Sequence, residues 1–125
     1  NLSKTDDEND YDILCRLNKN KKKLIGIFHL IGNLFMKELA DSIVIWKYLD
    51  LLFKNLKDND IDIELREQYI SCLKELLTKA GNKLLELEKE KFQVDIINII
   101  KEQMNDKRFN NREKFMFMDI IDLFE

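Results

Sequence analysis

Apolar residues recur along the chain at the three- and four-residue spacing of amphipathic helices, whereas the alternation typical of strands does not persist over any useful length. The stretch LIGIFHLIGNLFMKEL, residues 24–39, is apolar around most of its circumference, so this helix must be covered on several sides. The pattern predicts about five helices, at residues 24–39, 41–56, 64–80, 89–107 and from 110 onward.

Residues with known capping preferences set several of these boundaries. Asp41 or Ser42 is predicted to cap the second helix, and Asn110 or Asn111 to open the fifth. Gly81, followed by an asparagine, is predicted to end the third helix in the left-handed conformation.

The spacing of the predicted helices indicates how they pack. Successive helix pairs repeat after about 40 to 46 residues, the period of HEAT-type solenoids, in which each pair buries its apolar faces by stacking on its neighbours. We therefore predict an all-α, HEAT-like α-α superhelix. Its core is expected to bury one central residue from each helix, namely Phe28, Leu52, Leu73, Ile100 and Ile120.

Composition limits the class of protein. The 125 residues are 45% hydrophobic and 36% charged, and no run of about 18 uncharged apolar residues suggests a membrane span. Two cysteines without a CxxC pattern and a single histidine do not predict a metal site, and we expect no cofactor. Because the chain has neither an initiating Met nor a signal-peptide pattern, we expect a piece of a longer cytosolic or nuclear protein. Residues 1–9 are predicted to be a flexible acidic segment, and residues 10–125 the domain.

Three segments carry a resemblance to a known family. They read KKLIGIFHLIGNLFMKEL, EQYISCLKELLTKAGNKLLE and NNREKFMFMDIIDL. In order and spacing they resemble successive blocks of the middle domain of eukaryotic translation initiation factor 4 gamma. The third block is the most specific, with Arg112, Phe115, Met116, Asp119 and the pair Asp122-Leu123 in place. Asn33 and Lys114 depart from the family pattern, which commonly has Glu and Arg there.

The resemblance implies a crescent of stacked helix pairs, of which this chain would be the C-terminal half. It also implies a non-enzymatic cytoplasmic scaffold in translation initiation, which binds a DEAD-box RNA helicase of the mRNA cap-binding complex, RNA and other initiation factors. A protein-protein scaffold of the same superfamily, in nonsense-mediated decay, nuclear cap binding or splicing, is the alternative. We predict no catalytic residues, because the paired acids of the last helix lack an apolar pocket and a nearby base.

Two basic clusters are candidates for contact with RNA or the helicase. One lies before the first helix and the other around the turn into the fifth helix. Their members are Lys21, Lys22, Lys23, Lys107, Arg108, Arg112 and Lys114. A charge run is more often a solvated face, and Arg112 has the structural alternative of pairing with Asp119 two turns on. RNA binding by these residues would be non-specific, because no aromatic residues are interleaved for base stacking.

Apolar residues outside the predicted core are candidates for contact with a partner. Trp46 lies at the border of the apolar arc of the second helix, where it either packs at the rim or anchors a partner. Phe115 and Met118 fall outside the apolar arc of the fifth helix, and so face either a helix removed from the parent protein or a partner. We expect a homodimer through residues 109–125, caused by the excision. His29 is interpreted as an ordinary exposed residue.

Overall fold

The computed structural model describes residues 21–125, with side chains from Lys23 onward. The acidic segment predicted for residues 1–9 lies outside the described residues. Within residues 21–125 there are five helices and no strand, which confirms the all-α prediction. The helices are α1 (Lys21–Met36), α2 (Ser42–Leu56), α3 (Ile63–Leu87), α4 (the consecutive segments Lys89–Phe92, Gln93–Ile97 and Asn98–Met104) and α5 (Asn111–Asp122).

Helix α3 is central to the packing. It contacts α1, α2 and α5, while α4 packs against α5 and the end of α3. The ammonium group of Lys91 in α4 also lies over the ring of Trp46 in α2. The odd-numbered helices are thus neighbours, as are the even-numbered ones, which is compatible with a solenoid. All five residues predicted for the core are buried, namely Phe28, Leu52, Leu73, Ile100 and Ile120.

Helix α1 ends at Met36, three residues earlier than predicted. Glu38 adopts a left-handed conformation, with φ of 62°. The N–H of Glu38 bonds to the carbonyl of Phe35 (3.1 Å), and the N–H of Leu39 to that of Leu34 (2.8 Å). These are the two hydrogen bonds of a Schellman motif, which here places a glutamate at the position usually held by glycine. Leu39 therefore lies outside the helix.

The predicted end of the third helix at Gly81 is wrong. Helix α3 continues to Leu87, and no described glycine has a positive φ. Gly81 is instead a site of close packing, because a Cβ built there would lie 2.3 Å from the ring of Phe124. The missing side chain makes room for that ring, which also meets Phe92 edge-on at 4.9 Å between centroids.

The predicted N-caps are confirmed. Asp41 accepts a hydrogen bond from the N–H of Val44 (3.2 Å) at the start of α2. At the start of α5, Asn110 and Glu113 form a reciprocal capping box, each side chain accepting from the other's N–H at 2.9 Å. Both caps satisfy N–H groups that have no partner within the helix.

Helix α4 is shorter and less regular than predicted. It ends at Met104 rather than near residue 107, and its middle segment, Gln93–Ile97, is a π-helix. Such wide turns are usually short insertions into an α-helix. Every helix in the described part of the chain is too short or too polar to cross a lipid bilayer.

Candidate interaction surfaces

The turn between α4 and α5 brings together four of the predicted basic residues, and Arg108 is the most constrained of them. Its guanidinium donates to the carbonyl of Leu56 (2.8 Å), to the side chain of Asn59 (3.0 Å) and to Asp106 (3.3 Å). The hydrogen bond from its backbone N–H, and then its guanidinium, lower the pKa of Asp106 below the ordinary value. Arg108 therefore ties this turn to the end of α2, a structural role that the sequence did not indicate.

Arg66 and Glu113 extend this network into the interior. Both side chains are buried, and the Arg66 guanidinium donates to both carboxylate oxygens of Glu113, one of them at 2.7 Å. Arg66 also donates to the carbonyl of Arg108 at 3.0 Å. The spacing of Asn110 and Glu113 is the sequence signature of a capping box, but no pattern marked Arg66 as the buried partner.

Arg112 does not pair with Asp119, the structural alternative offered from the sequence. Its Nε atom lies 2.6 Å from a carboxylate oxygen of Glu67 on α3, and Asp119 instead lies 3.7 Å from the ammonium group of Lys74. Arg112 and Asp119, two turns apart on α5, thus pair with two residues that are two turns apart on α3, rather than with each other. The Arg112 side chain remains mostly exposed despite this ion pair.

The other candidate lysines differ in exposure. Lys107 is exposed on the turn, and Lys114 is half-buried on α5. Lys23 is exposed in the first turn of α1, whereas the side chains of Lys21 and Lys22 lie outside the described part of the structure. Of the four basic residues near the α4–α5 turn, Lys107 and Arg112 are therefore the ones that face solvent.

Trp46 is not an exposed apolar contact. It is only 6% exposed, and its indole N–H donates to the carboxylate of Glu88 at 2.5 Å. The ammonium group of Lys91 lies 4.5 Å from the centroid of its ring. Trp46 thus joins α2 to the start of α4, because its polar atom has a partner and its face is covered.

Phe115 and Met118 lie on the surface, 62% and 42% exposed, on the side of α5 away from the buried Phe117 and Ile120. Together with Arg112 they are spaced three residues apart, so their side chains are neighbours along one strip of the helix. We call these three residues the α5 strip. Its contact with a partner stays a prediction.

His29 and the other potential ligands do not form a metal site in the described part of the chain. The Nδ1 atom of His29 is hydrogen-bonded to Glu75 at 3.1 Å, joining α1 to α3. No group of three or more His, Cys, Asp or Glu residues within 21–125 is placed to hold a metal ion.

Comparison with known proteins gives one relationship. No family model and no solved structure matches the chain. Eukaryotic translation initiation factor 4 gamma 3 from mouse (Mus musculus) and from human (Homo sapiens) are each 34% identical to it over 107 residues. The match covers 84% of this chain, which spans only 6% of the length of either relative. The chain is thus related to a region of eukaryotic translation initiation factor 4 gamma.

Proposed function

We propose that this chain is a non-enzymatic scaffold of translation initiation that acts in the cytoplasm. The observation that carries the proposal is the 34% identity to a translation initiation factor over most of the chain. The helical architecture supports it, because stacked helices present extended side-chain surfaces on which partners can bind.

The partners we propose are a DEAD-box RNA helicase of the mRNA cap-binding complex, other initiation factors, and RNA bound without sequence preference. For the helicase we propose the α5 strip. Phe115 and Met118 would supply the apolar centre of the contact, and Arg112 with the nearby Lys107 its polar border. This composition is typical of protein interfaces, where aromatic residues, Met and Arg are enriched and charge is kept to the rim.

Calorimetric titration of the chain with the purified translation helicase tests the proposal. We expect binding that the double substitution Phe115→Ser/Met118→Ser weakens at least tenfold, because truncating residues at the centre of an interface can cost about 2 kcal/mol or more. The matched control is Ile63→Ser, since Ile63 is an exposed apolar residue at the start of a different helix.

Two results would contradict this assignment. Equal affinity of the wild type and the Phe115→Ser/Met118→Ser variant would move the contact away from the α5 strip. Absence of any helicase binding by a folded chain would count against the translation scaffold, and would favour the other scaffolds of the superfamily.

A further inference from the structure

A groove follows α2 on the side that faces α4. Two of its three open cavities have volumes of about 520 and 350 Å³ and share Asp50 and Lys54. A third cavity, of about 450 Å³ at the turn between α1 and α2, meets the first at Ser42. We call the three together the α2–α4 groove. Its main apolar lining residues are Leu39, Ile43, Trp46, Leu51, Phe53 and Ile99.

The groove exposes large aliphatic side chains. Leu39 is 73% exposed, Ile43 75% and Leu87 59%, and Leu39 and Leu87 line the same cavity. Single exposed aliphatic residues are common on protein surfaces, but several around one depression indicate a binding surface. Covering such side chains contributes about 25 cal/mol for each Å² of apolar surface removed from water.

The cavity of about 520 Å³ lies between the other two, and we call it the central cavity. It is locally basic, although the whole chain has a net charge of −3. Its three lysines, Lys47, Lys54 and Lys91, outnumber its two carboxylates, Asp50 and Glu88, which leaves a charge of +1. Glu88 already accepts the indole N–H of Trp46. A ligand with carboxylates is therefore electrostatically favoured at this cavity over one with cations.

We propose that the α2–α4 groove binds an amphipathic helix of a partner protein, with apolar residues on one face and carboxylates at the positions that meet the central cavity. Because residues 21–125 contain no strand, they offer no sheet edge to an extended peptide, whereas a helix satisfies its own backbone hydrogen bonds. The 15 residues of α2 are about 22 Å long, which suits about four turns of a bound helix. This surface is separate from the α5 strip, so the inference does not depend on the proposed helicase contact.

Trp46 provides a direct signal for occupancy, since it is the one tryptophan of the sequence and lines the central cavity. The probes are 16-residue peptides selected from a random phage-displayed library against the chain and then synthesised. We expect the selected peptides to carry apolar residues at helical spacing together with Asp or Glu, and to change the Trp46 emission on binding. Replacing their acidic residues by Gln or Asn should weaken binding at least fivefold.

Matched variants locate the binding site. Ile43→Asp should weaken peptide binding at least tenfold, and Lys54→Glu at least threefold. The controls Ile63→Asp and Lys107→Glu repeat the same changes at exposed positions that do not line the groove, and should change affinity less than twofold. Circular dichroism melting confirms that each variant is folded.

The proposal is overturned if no peptide is enriched, or if the groove variants and their controls weaken binding equally. It is also overturned if single-stranded RNA occupies the groove instead. In that case RNA would change the Trp46 emission, and its affinity would fall in Lys54→Glu but not in the uncharged variant Ile43→Ser.

Discussion

Glu113 of α5 and Arg66 of α3 form a buried ion pair, in which both carboxylate oxygens accept hydrogen bonds from one guanidinium. The hydrogen bond that Arg66 donates to Glu113 is also the main reason why the pKa of Arg66 is raised. Because Glu113 simultaneously caps α5, this one carboxylate fixes both the start of that helix and its position against α3.

Removing one member of the pair should be costly. We expect Glu113→Ala to lower the free energy of unfolding by about 3 to 5 kcal/mol, because it leaves the Arg66 guanidinium buried without a counterion. The double substitution Arg66→Leu/Glu113→Leu should cost less than Glu113→Ala alone. Urea unfolding measures the free energy of unfolding of each variant. Glu67→Ala, which removes the partner of the exposed Arg112, is the control and should cost at most about 1 kcal/mol.

The two glycines Gly26 and Gly81 should respond oppositely to alanine. Gly26 is exposed in α1 with nothing within 4 Å of an added Cβ, so Gly26→Ala should stabilise the protein by about 0.4 to 1 kcal/mol. Gly81→Ala should destabilise it by about 1 to 3 kcal/mol, because the added methyl displaces the ring of Phe124. Thermal melts measure the stability of both variants. In a Phe124→Leu background, the destabilisation by Gly81→Ala should be smaller. A stabilising Gly81→Ala would contradict this account of α3.

We predict that RNA contacts the basic residues of the α4–α5 turn. Lys107→Glu should then weaken the affinity for all RNA sequences alike, and the affinity should fall steeply with salt concentration. Fluorescence anisotropy at several salt concentrations measures this. Arg108→Glu is the less informative variant, because it also removes the hydrogen bonds to Leu56 and Asn59. Titrations that Lys107→Glu leaves unchanged would argue against RNA contact at this turn.

A second copy of the chain is another predicted partner of the α5 strip. We predict concentration-dependent self-association through residues 109–125, because Phe115 and Met118 leave apolar surface exposed to water. Sedimentation velocity should show a dimer in the wild type and a monomer in Phe115→Ser/Met118→Ser. A wild type that stays monomeric at high concentration contradicts the prediction.

Cys72 should be unreactive in the folded protein. It is free and fully buried, and this burial raises the pKa of its thiol to about 12, so very little of the reactive thiolate exists at pH 8. In a Cys15→Ser background, a thiol reagent at pH 8 should modify Cys72 only above the urea midpoint. Rapid modification in native buffer would contradict the burial of this side chain.

Local signals along the sequence predicted much of the fold. Helical periodicity placed the five helices and their core positions, and the side-chain chemistry of Asp41 and Asn110 placed two N-caps. The errors occurred where tertiary packing decides the outcome. The left-handed turn falls at Glu38, and Gly81 lies inside a helix, where its missing side chain leaves room for the ring of Phe124.

The interaction surfaces were less predictable for the same reason. The sequence shows that Arg108 is basic and Trp46 aromatic, but not that each has an intramolecular partner more than 40 positions away. The exposure of Phe115 and Met118 was predictable, because the spacing of residues along a helix determines which face each side chain occupies.

The central position of α3 has a consequence for how the protein loses its structure. In long solenoids each repeat touches only its neighbours, so the ends can open independently of the middle. Here one helix of 25 residues, about 37 Å long, touches α1, α2 and α5 and borders the start of α4. Detaching either α1 or α5 uncovers α3, so the described fold should melt in a single cooperative transition. Amide hydrogens of α1 and α5 should then exchange through the same opening as those of α3.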